Sequence, residues 1–273
     1  MKLAFIGGGN MAHAMLGGMK ASGGRDVVHV LEPDADRRAQ LASEFGLTAH
    51  AEPGDWLRDA AVILLAVKPQ QAQQAVNAAV PYIARPMVIS IVAGVQGQTL
   101  ARWLGHQRIV RAMPNTPALI RAGITGAVAL ADVSADDRAE ADRILRSIGQ
   151  VLWLERESLL DPVTAISGSG PAYVFYFIEA LQQAGRDLGF TDEQARQLAV
   201  ETFSGAASLA RLSSEPVHVL RERVTSKGGT TAAALAHLES SQVRSRIIEA
   251  VRAACARAEE MGRQFETDET QGR

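Results

Sequence analysis

Lysine and cysteine are scarce: four lysines (Lys2, Lys20, Lys68, Lys227) and one cysteine (Cys255) are spread over 273 residues. A single cysteine excludes an internal disulfide framework and fits a reducing compartment. No apolar run reaches the about 20 residues that a bilayer crossing needs. Met1 leads straight into an apolar stretch, without the charged, apolar and small-residue succession of a signal peptide. A formal net charge of −2 offers no basic face for a nucleic acid or another polyanion. Internal repeats and low-complexity stretches are also lacking. These absences predict a soluble, cytoplasmic protein. The 47% hydrophobic content allows a sizeable core, and the length favours two domains.

The chain is organised around residues 3–16, L-A-F-I-G-G-G-N-M-A-H-A-M-L. Leu3 to Ile6 suits a buried parallel strand, Gly7-Gly8-Gly9 forces a tight turn, and helix-forming residues follow from Asn10. Gly7-x-Gly9-x-x-Ala12 matches the dinucleotide fingerprint in its G-x-G-x-x-A form. Gly7 permits the turn, Gly9 lets backbone approach a pyrophosphate, and Ala12 lets helix pack closely on strand. The pyrophosphate would face helix N–H groups that have no partner of their own.

Residues 27–31 read as a second strand ending at Glu32. An acid about 20 residues past the glycine loop is where NAD-binding folds hold the ribose 2′-hydroxyl. An ordinary loop carboxylate before Pro33 is the alternative, and Arg37 and Arg38 could instead hold a 2′-phosphate. Further strands are expected at residues 60–67, 87–92, 109–112, 124–130 and 150–154, and helices at 34–45, from Lys68-Pro69-Gln70 to 80, and 134–147. This alternation through residue 157 predicts an α/β, doubly wound Rossmann-type domain. Lys68, with Ala93-Gly94, lies beyond strand ends where such folds bind ligands. Met113-Pro114-Asn115-Thr116-Pro117 is a rigid loop at the same end, with Asn115 as a polar anchor for the nicotinamide side.

Residues 158–273 read as an all-helical domain. Gly168-Ser169-Gly170-Pro171 opens a helix whose stretch 172–178 is almost wholly apolar, which needs cover from other helices or a second subunit. Thr191 and Gln194 form a capping box for a helix to about residue 212. Residues 243–261 form a last amphipathic helix, with a loose polar end after Gln264. Between them lies Val224-Thr225-Ser226-Lys227-Gly228-Gly229-Thr230-Thr231, which runs into a helix. Two glycines and four hydroxyls exceed what capping requires and suit a small carboxylate. The N–H groups of residues 229–231 would hold the anion, while Ser226 or Thr231 reaches a neighbouring polar atom.

These stretches resemble the pyrroline-5-carboxylate reductase family over nearly the whole chain. The likeness rests on Phe5-Ile6-Gly7-Gly8-Gly9-Asn10-Met11, Ala66-Val67-Lys68-Pro69, Arg111 to Pro117, Ser167 to Tyr173 and Thr225 to Thr231. The M-P-N-T-P and S-x-G-G-T-T stretches are its specific part. The resemblance implies a Rossmann domain, a helical dimerisation domain, and NAD(P)H-dependent reduction of 1-pyrroline-5-carboxylate to L-proline. It further implies that Ile6 to Met11 with Ala66 to Pro69 receive the cofactor. Ser226, Gly228, Gly229, Thr230 and Thr231 would receive the substrate, with Thr231 orienting the imine nitrogen. The loop would face the Rossmann domain of the partner in a homodimer, from which larger assemblies of dimers could be built. Family habit favours NADPH, whereas Glu32 would repel a 2′-phosphate and leaves NADH open. Ala12 and Lys227 stand where many members have Gly and Pro. No metal is called for.

Other imine reductases share these demands, and β-hydroxyacid dehydrogenases share the architecture. The latter use a lysine on the long helix after the Rossmann domain, where this chain has none. A non-catalytic dinucleotide-binding module would not need the loop from Ser226 to Thr231.

Overall fold

The computed structural model describes the backbone of residues 1–271 and the side chains of residues 1–263. β1 (Lys2–Ile6), α1 (Asn10–Ala21), β2 (Val27–Leu31), α2 (Ala35–Phe45), β3 (Thr48–His50) and β4 (Val62–Leu65) come first. They are followed by α3 (Ala72–Ala79), β5 (Met87–Ser90), α4 (Gly97–Leu104), β6 (Ile109–Met113) and β7 (Gly123–Ala129). α5 (Ala135–Arg146) and β8 (Gly149–Trp153) complete the alternating part.

The strands form one sheet in the order β3-β2-β1-β4-β5-β6-β7-β8. The first six are parallel in a doubly wound order. β7 runs antiparallel to β6, and β8 parallel to β7. The chain between β6 and β7 is a short 3-10 turn, Thr116–Ile120, with Arg121 at φ +59°. That link is too short for a crossover, so β7 must return antiparallel. β3 and α4 were not legible in the sequence. Thr48-Ala49-His50 has no apolar run, and α4 is a short helix opening at Gly97.

Side chains alternate across the sheet and build a core on each face. Leu3, Phe5, Leu64 and Ile89 pack with Met15 of α1 and Ile144 of α5. Ala4, Ile6, Ile63 and Val88 pack on the other face with Val76 of α3 and Leu100 of α4. One buried charge lies within the sheet among the described residues: Arg111, 7% exposed, whose guanidinium meets Glu157 Oε1 at 2.5 Å. The same oxygen accepts the N–H of Gly97.

The remaining helices are α6 (Leu160–Val163), α7 (Gly170–Asp187), α8 (Asp192–Leu212), α9 (Val217–Arg223), α10 (Thr230–Ser240) and α11 (Val243–Gln271). A five-residue π-helical stretch, Thr164–Gly168, links α6 to α7. α8 carries the expected capping box of Thr191 and Gln194. α11 runs past Gln264, where the sequence predicts a loose end, to Gln271. Residues 272–273 lie outside the described residues.

By compactness the chain forms two units, one of Met1–Ser169 with the chain from Ala254 onward, the other Gly170–Ala253. The second unit thus starts later than the change of composition near residue 157. Within it α7 and α8 pack closely: a Cβ on Gly185 would sit 2.9 Å from that of Ala195. Ala195 and Ala199 are its only buried residues, while Phe175, Tyr176, Leu188 and Leu212 lie open. No described helix is long and apolar enough to cross a membrane.

Candidate active site

In the first unit the glycine loop forms the floor of a cleft of about 510 Å³. Gly7 has φ +99°, a region that L side chains rarely adopt, and a Cβ there would lie 2.6 Å from the Ala66 carbonyl oxygen. Its N–H donates to Leu31 O, and Ala66 N–H donates to Ile6 O, tying the loop to β2 and β4. Gly9 caps α1 without any side-chain cap, so the first helical N–H groups are left for a ligand. A Cβ on Gly9 would meet nothing within 4 Å. That open approach to an uncapped helix start fits a dinucleotide diphosphate.

Gly8 is closely held on the other side. A Cβ there would come within 2.6 Å of Leu41 Cδ1 on α2. Its N–H donates to Glu32 Oε2 at 2.9 Å, while Glu32 Oε1 accepts from Asp34 N–H at 3.0 Å. Glu32 and Pro33 line the cleft. Arg37 and Arg38 do not: Arg37 Nε donates to Gly8 O at 2.6 Å, and Arg38 Nη1 donates to the carbonyls of Glu32 and Pro33.

Ile6, Ala66, Val67 and Lys68, which the resemblance assigns to the cofactor, also line the cleft. Asn10, Met11 and Pro69 flank it, the first two in the opening turn of α1 and the third beginning a 3-10 turn. Sequence reasoning missed Ala51 and Pro53, and the face Gln71, Gln74, Ala75 and Ala78. The spacing of that face, opposite buried Ala72, Val76 and Ala79, was the available signal. Behind Ala51 and Pro53, His50 stacks on Trp56 with centroids 4.1 Å apart and shares a 2.9 Å hydrogen bond with His29. Burial holds both imidazoles below their ordinary pKa, aided by Lys2 at His29 and by His29 at His50.

Ala93, Gly94 and Asn115 are not among the lining residues. Gly94 turns at φ +77°, and its carbonyl lies 3.5 Å from where a Cβ on Gly262 of α11 would be. Asn115 is nearly buried and braces the fold: Nδ2 donates to Ser167 O at 3.1 Å and Oδ1 accepts Ile124 N–H at 2.9 Å. The Asp161 carboxyl is pushed above its ordinary pKa by burial and by the Glu259 and Glu157 carboxylates, against the pull of Arg111 and Arg263.

In the second unit, Gly228 at φ +73° turns the chain and Gly229 caps α10 with no side-chain hydrogen bond. A Cβ on Gly229 would collide with Ser226 Oγ. The Thr225 hydroxyl is spent on Arg221 O. The hydroxyls of Ser226, Thr230 and Thr231 make no hydrogen bond among the described residues. The result is a helix start with free N–H groups and three available hydroxyls, which can hold a carboxylate and a second polar atom. Among the described residues no group of three or more His, Cys, Asp or Glu could hold a metal ion.

The largely parallel sheet, the glycine cradle at α1 and the helical second unit define a dinucleotide-binding protein of the Rossmann class. Comparison with known proteins narrows the class. Residues 157–261 match the family described as pyrroline-5-carboxylate reductase dimerisation, and residues 2–94 match NADP oxidoreductase coenzyme F420-dependent. A pyrroline-5-carboxylate reductase of Pseudomonas aeruginosa is 40% identical over 97% of this chain and 98% of its own. Among solved structures, a pyrroline-5-carboxylate reductase of Coxiella burnetii superposes with TM-score 0.90 and 38% identity, covering 95% of this chain and 97% of that one. The Plasmodium falciparum pyrroline carboxylate reductase, solved with NADP bound, gives TM-score 0.84 and 31% identity over 96% of this chain and 98% of that one. The chain belongs to the pyrroline-5-carboxylate reductase family.

Proposed function

We propose that this chain reduces 1-pyrroline-5-carboxylate to L-proline, the last step of proline biosynthesis, with a dihydronicotinamide dinucleotide as co-substrate. The observation that carries the reading is the helix start at Gly229, free of any side-chain cap and ringed by the unpaired hydroxyls of Ser226, Thr230 and Thr231. A β-hydroxyacid dehydrogenase would need a lysine on α7, and that helix has none.

In this reading residues 1–157 bind the cofactor and residues 158–273 form the dimerisation and substrate domain. The N–H groups of Gly9 and the first turn of α1 hold the diphosphate. Glu32 takes the adenosine ribose, and Ala51, Pro53 and the Gln71–Ala78 face flank the adenine. Val67 and Lys68 are assigned to the nicotinamide end, with Ala93 and Gly94 at a neighbouring strand end, while Asn115 supports this end from within the fold. When bound, the dihydronicotinamide supplies a hydride. The backbone at Gly229 to Thr231 fixes the substrate carboxylate. Thr231, with Ser226 beside it, orients the imine nitrogen. A protonated imine is already electrophilic, so the chain has to align the carbons and exclude water rather than supply a strong acid. The resulting amine keeps the nitrogen-bound proton, and the hydride completes the C–H bond. A hydroxyl has a pKa far from neutral, so Thr231 serves as an orienting donor.

Family habit favours NADPH, but the cleft favours NADH: Glu32 lines it, while Arg37 and Arg38 are turned to backbone carbonyls. We therefore read the enzyme as using NADPH, with NADH also accepted. It acts in the cytoplasm as a homodimer, with larger assemblies of dimers an extension of that unit. The test follows absorbance at the reduced-nicotinamide band with each cofactor, with and without the imine. Oxidation dependent on pyrroline-5-carboxylate supports the reading. Cofactor binding without turnover would identify a non-catalytic dinucleotide module.

A further inference from the structure

Arg37 occupies an unfavourable place. It is the third residue of α2, and a cation in the first turn opposes the positive end of the helix dipole. The helix start is already capped by Asp34, whose Oδ1 accepts the Arg37 N–H at 2.7 Å. The guanidinium must therefore be repaid elsewhere. Side chains on a helix lean toward its N-terminus, and Arg37 leans onto the glycine loop. Nε donates to Gly8 O at 2.6 Å, Nη1 donates to Gln40 Oε1 at 2.7 Å, and Nη2 is buried without a hydrogen-bond partner among the described residues.

The consequence follows from peptide geometry. A trans peptide is planar, so its C=O and N–H point in opposite directions. The Gly8 carbonyl and the Gly9 N–H belong to one such plane. By pinning the carbonyl toward α2, Arg37 turns the Gly9 N–H the other way. Gly9 lines the cleft, and a Cβ on it would touch nothing within 4 Å. Glu32 completes the hold by accepting the Gly8 N–H. Two opposite charges, Glu32 of the β2–α2 connection and Arg37 of α2, thus grip both polar groups of one glycine that the fingerprint leaves unspecified.

We propose that Arg37 is a positioning residue for the cofactor diphosphate: it presets the Gly8–Gly9 peptide so that the Gly9 N–H faces the ligand before it arrives. Without it the peptide is free to flip, and binding must bear the cost of ordering it. This rests on the dinucleotide reading of the cleft, but it does not depend on which imine is reduced.

The experiment compares the whole wild-type protein with Arg37→Met and Arg37→Lys by calorimetric or competition binding of NADH, NADPH, ADP and adenosine. ADP and both dinucleotides, which carry the diphosphate, should bind Arg37→Met roughly tenfold more weakly, about 1.4 kcal/mol, while adenosine should be unchanged. Arg37→Lys should recover part of the loss, since an ammonium can still reach a carbonyl. At saturating cofactor, kcat and the KM for the imine should stay at wild-type values. Equal weakening of adenosine and ADP would show a collapsed cleft and overturn the proposal. A loss confined to NADPH would overturn it too, by making Arg37 a reader of the 2′-phosphate. Wild-type protein that binds none of the four would refute the dinucleotide reading itself, a distinct failure.

Discussion

Replacing Glu32 by Ser tests whether the cleft reads the ribose. The carboxylate is held in place by its two oxygens, which accept the N–H groups of Gly8 and Asp34 at 2.9 and 3.0 Å. Its charge therefore stays in the cleft whichever cofactor binds. A 2′-phosphate carries nearly two negative charges. At roughly 5 Å, with an effective dielectric between that of a protein surface and bulk water, the repulsion is about 2–3 kcal/mol. Glu32→Ser should remove it. It also releases two N–H groups, which weakens both cofactors by a common factor that cancels in their ratio. The ratio of kcat/KM for NADPH to that for NADH should thus rise roughly 30- to 140-fold. Glu32→Gln removes the charge but keeps an oxygen for the Gly8 N–H. It should move the ratio nearly as far with a smaller common loss. Steady-state kinetics with each cofactor at saturating imine measure both quantities. An unchanged ratio in both variants would refute the reasoning, leaving Glu32 a brace of the glycine loop and nothing more.

Thr231→Ala should lower kcat/KM for the imine roughly tenfold, the worth of one hydrogen bond to a charged or polarised group, with cofactor affinity untouched; wild-type kinetics would leave only the backbone N–H groups with a role. Gly9→Val and the double variant Thr230→Ala/Thr231→Ala should each be nearly inactive as homodimers. Co-refolded in equal amounts, they should regain roughly a quarter of full activity if each site draws its two loops from different chains; parental activity despite mixed dimers confirmed by mass would show that one chain supplies both. Glu157→Ala strands the buried Arg111 charge, and Glu157 itself is one-third exposed. Urea unfolding should show a loss of roughly 2–3 kcal/mol, below the full cost of breaking a buried pair because solvent reaches the carboxylate; a change below about 0.5 kcal/mol would mean that Arg111 finds another partner.

Much of the site was legible because its reasons are local. The turn at Gly7, the open Gly9 and the Gly-Gly start of α10 each follow from a few neighbouring residues. What stayed hidden depends on distant partners. Nothing near Arg37 in the chain reveals that it reaches back to Gly8, and Gly8 itself is an unspecified position of the fingerprint. Asn115 reads as a ligand anchor, yet its amide holds Ile124 and Ser167, the latter 52 residues away. β3 escaped notice because its pairing with β2, rather than apolar content, makes it a strand. The reversal of β7 was readable in principle from the shortness of its link to β6.

The helical unit, with Ala195 and Ala199 as its only buried residues, makes completion of this protein a matter of abundance. A unit that cannot fill its own interior draws stability from encounter, so its melting temperature climbs with the logarithm of concentration. Assembly is then a second-order event late in folding. At low expression a chain spends longer half-made, with Phe175, Tyr176 and Leu212 open to proteases and holdases. With sites shared between chains, as proposed, output should rise more steeply than the number of chains until pairing saturates.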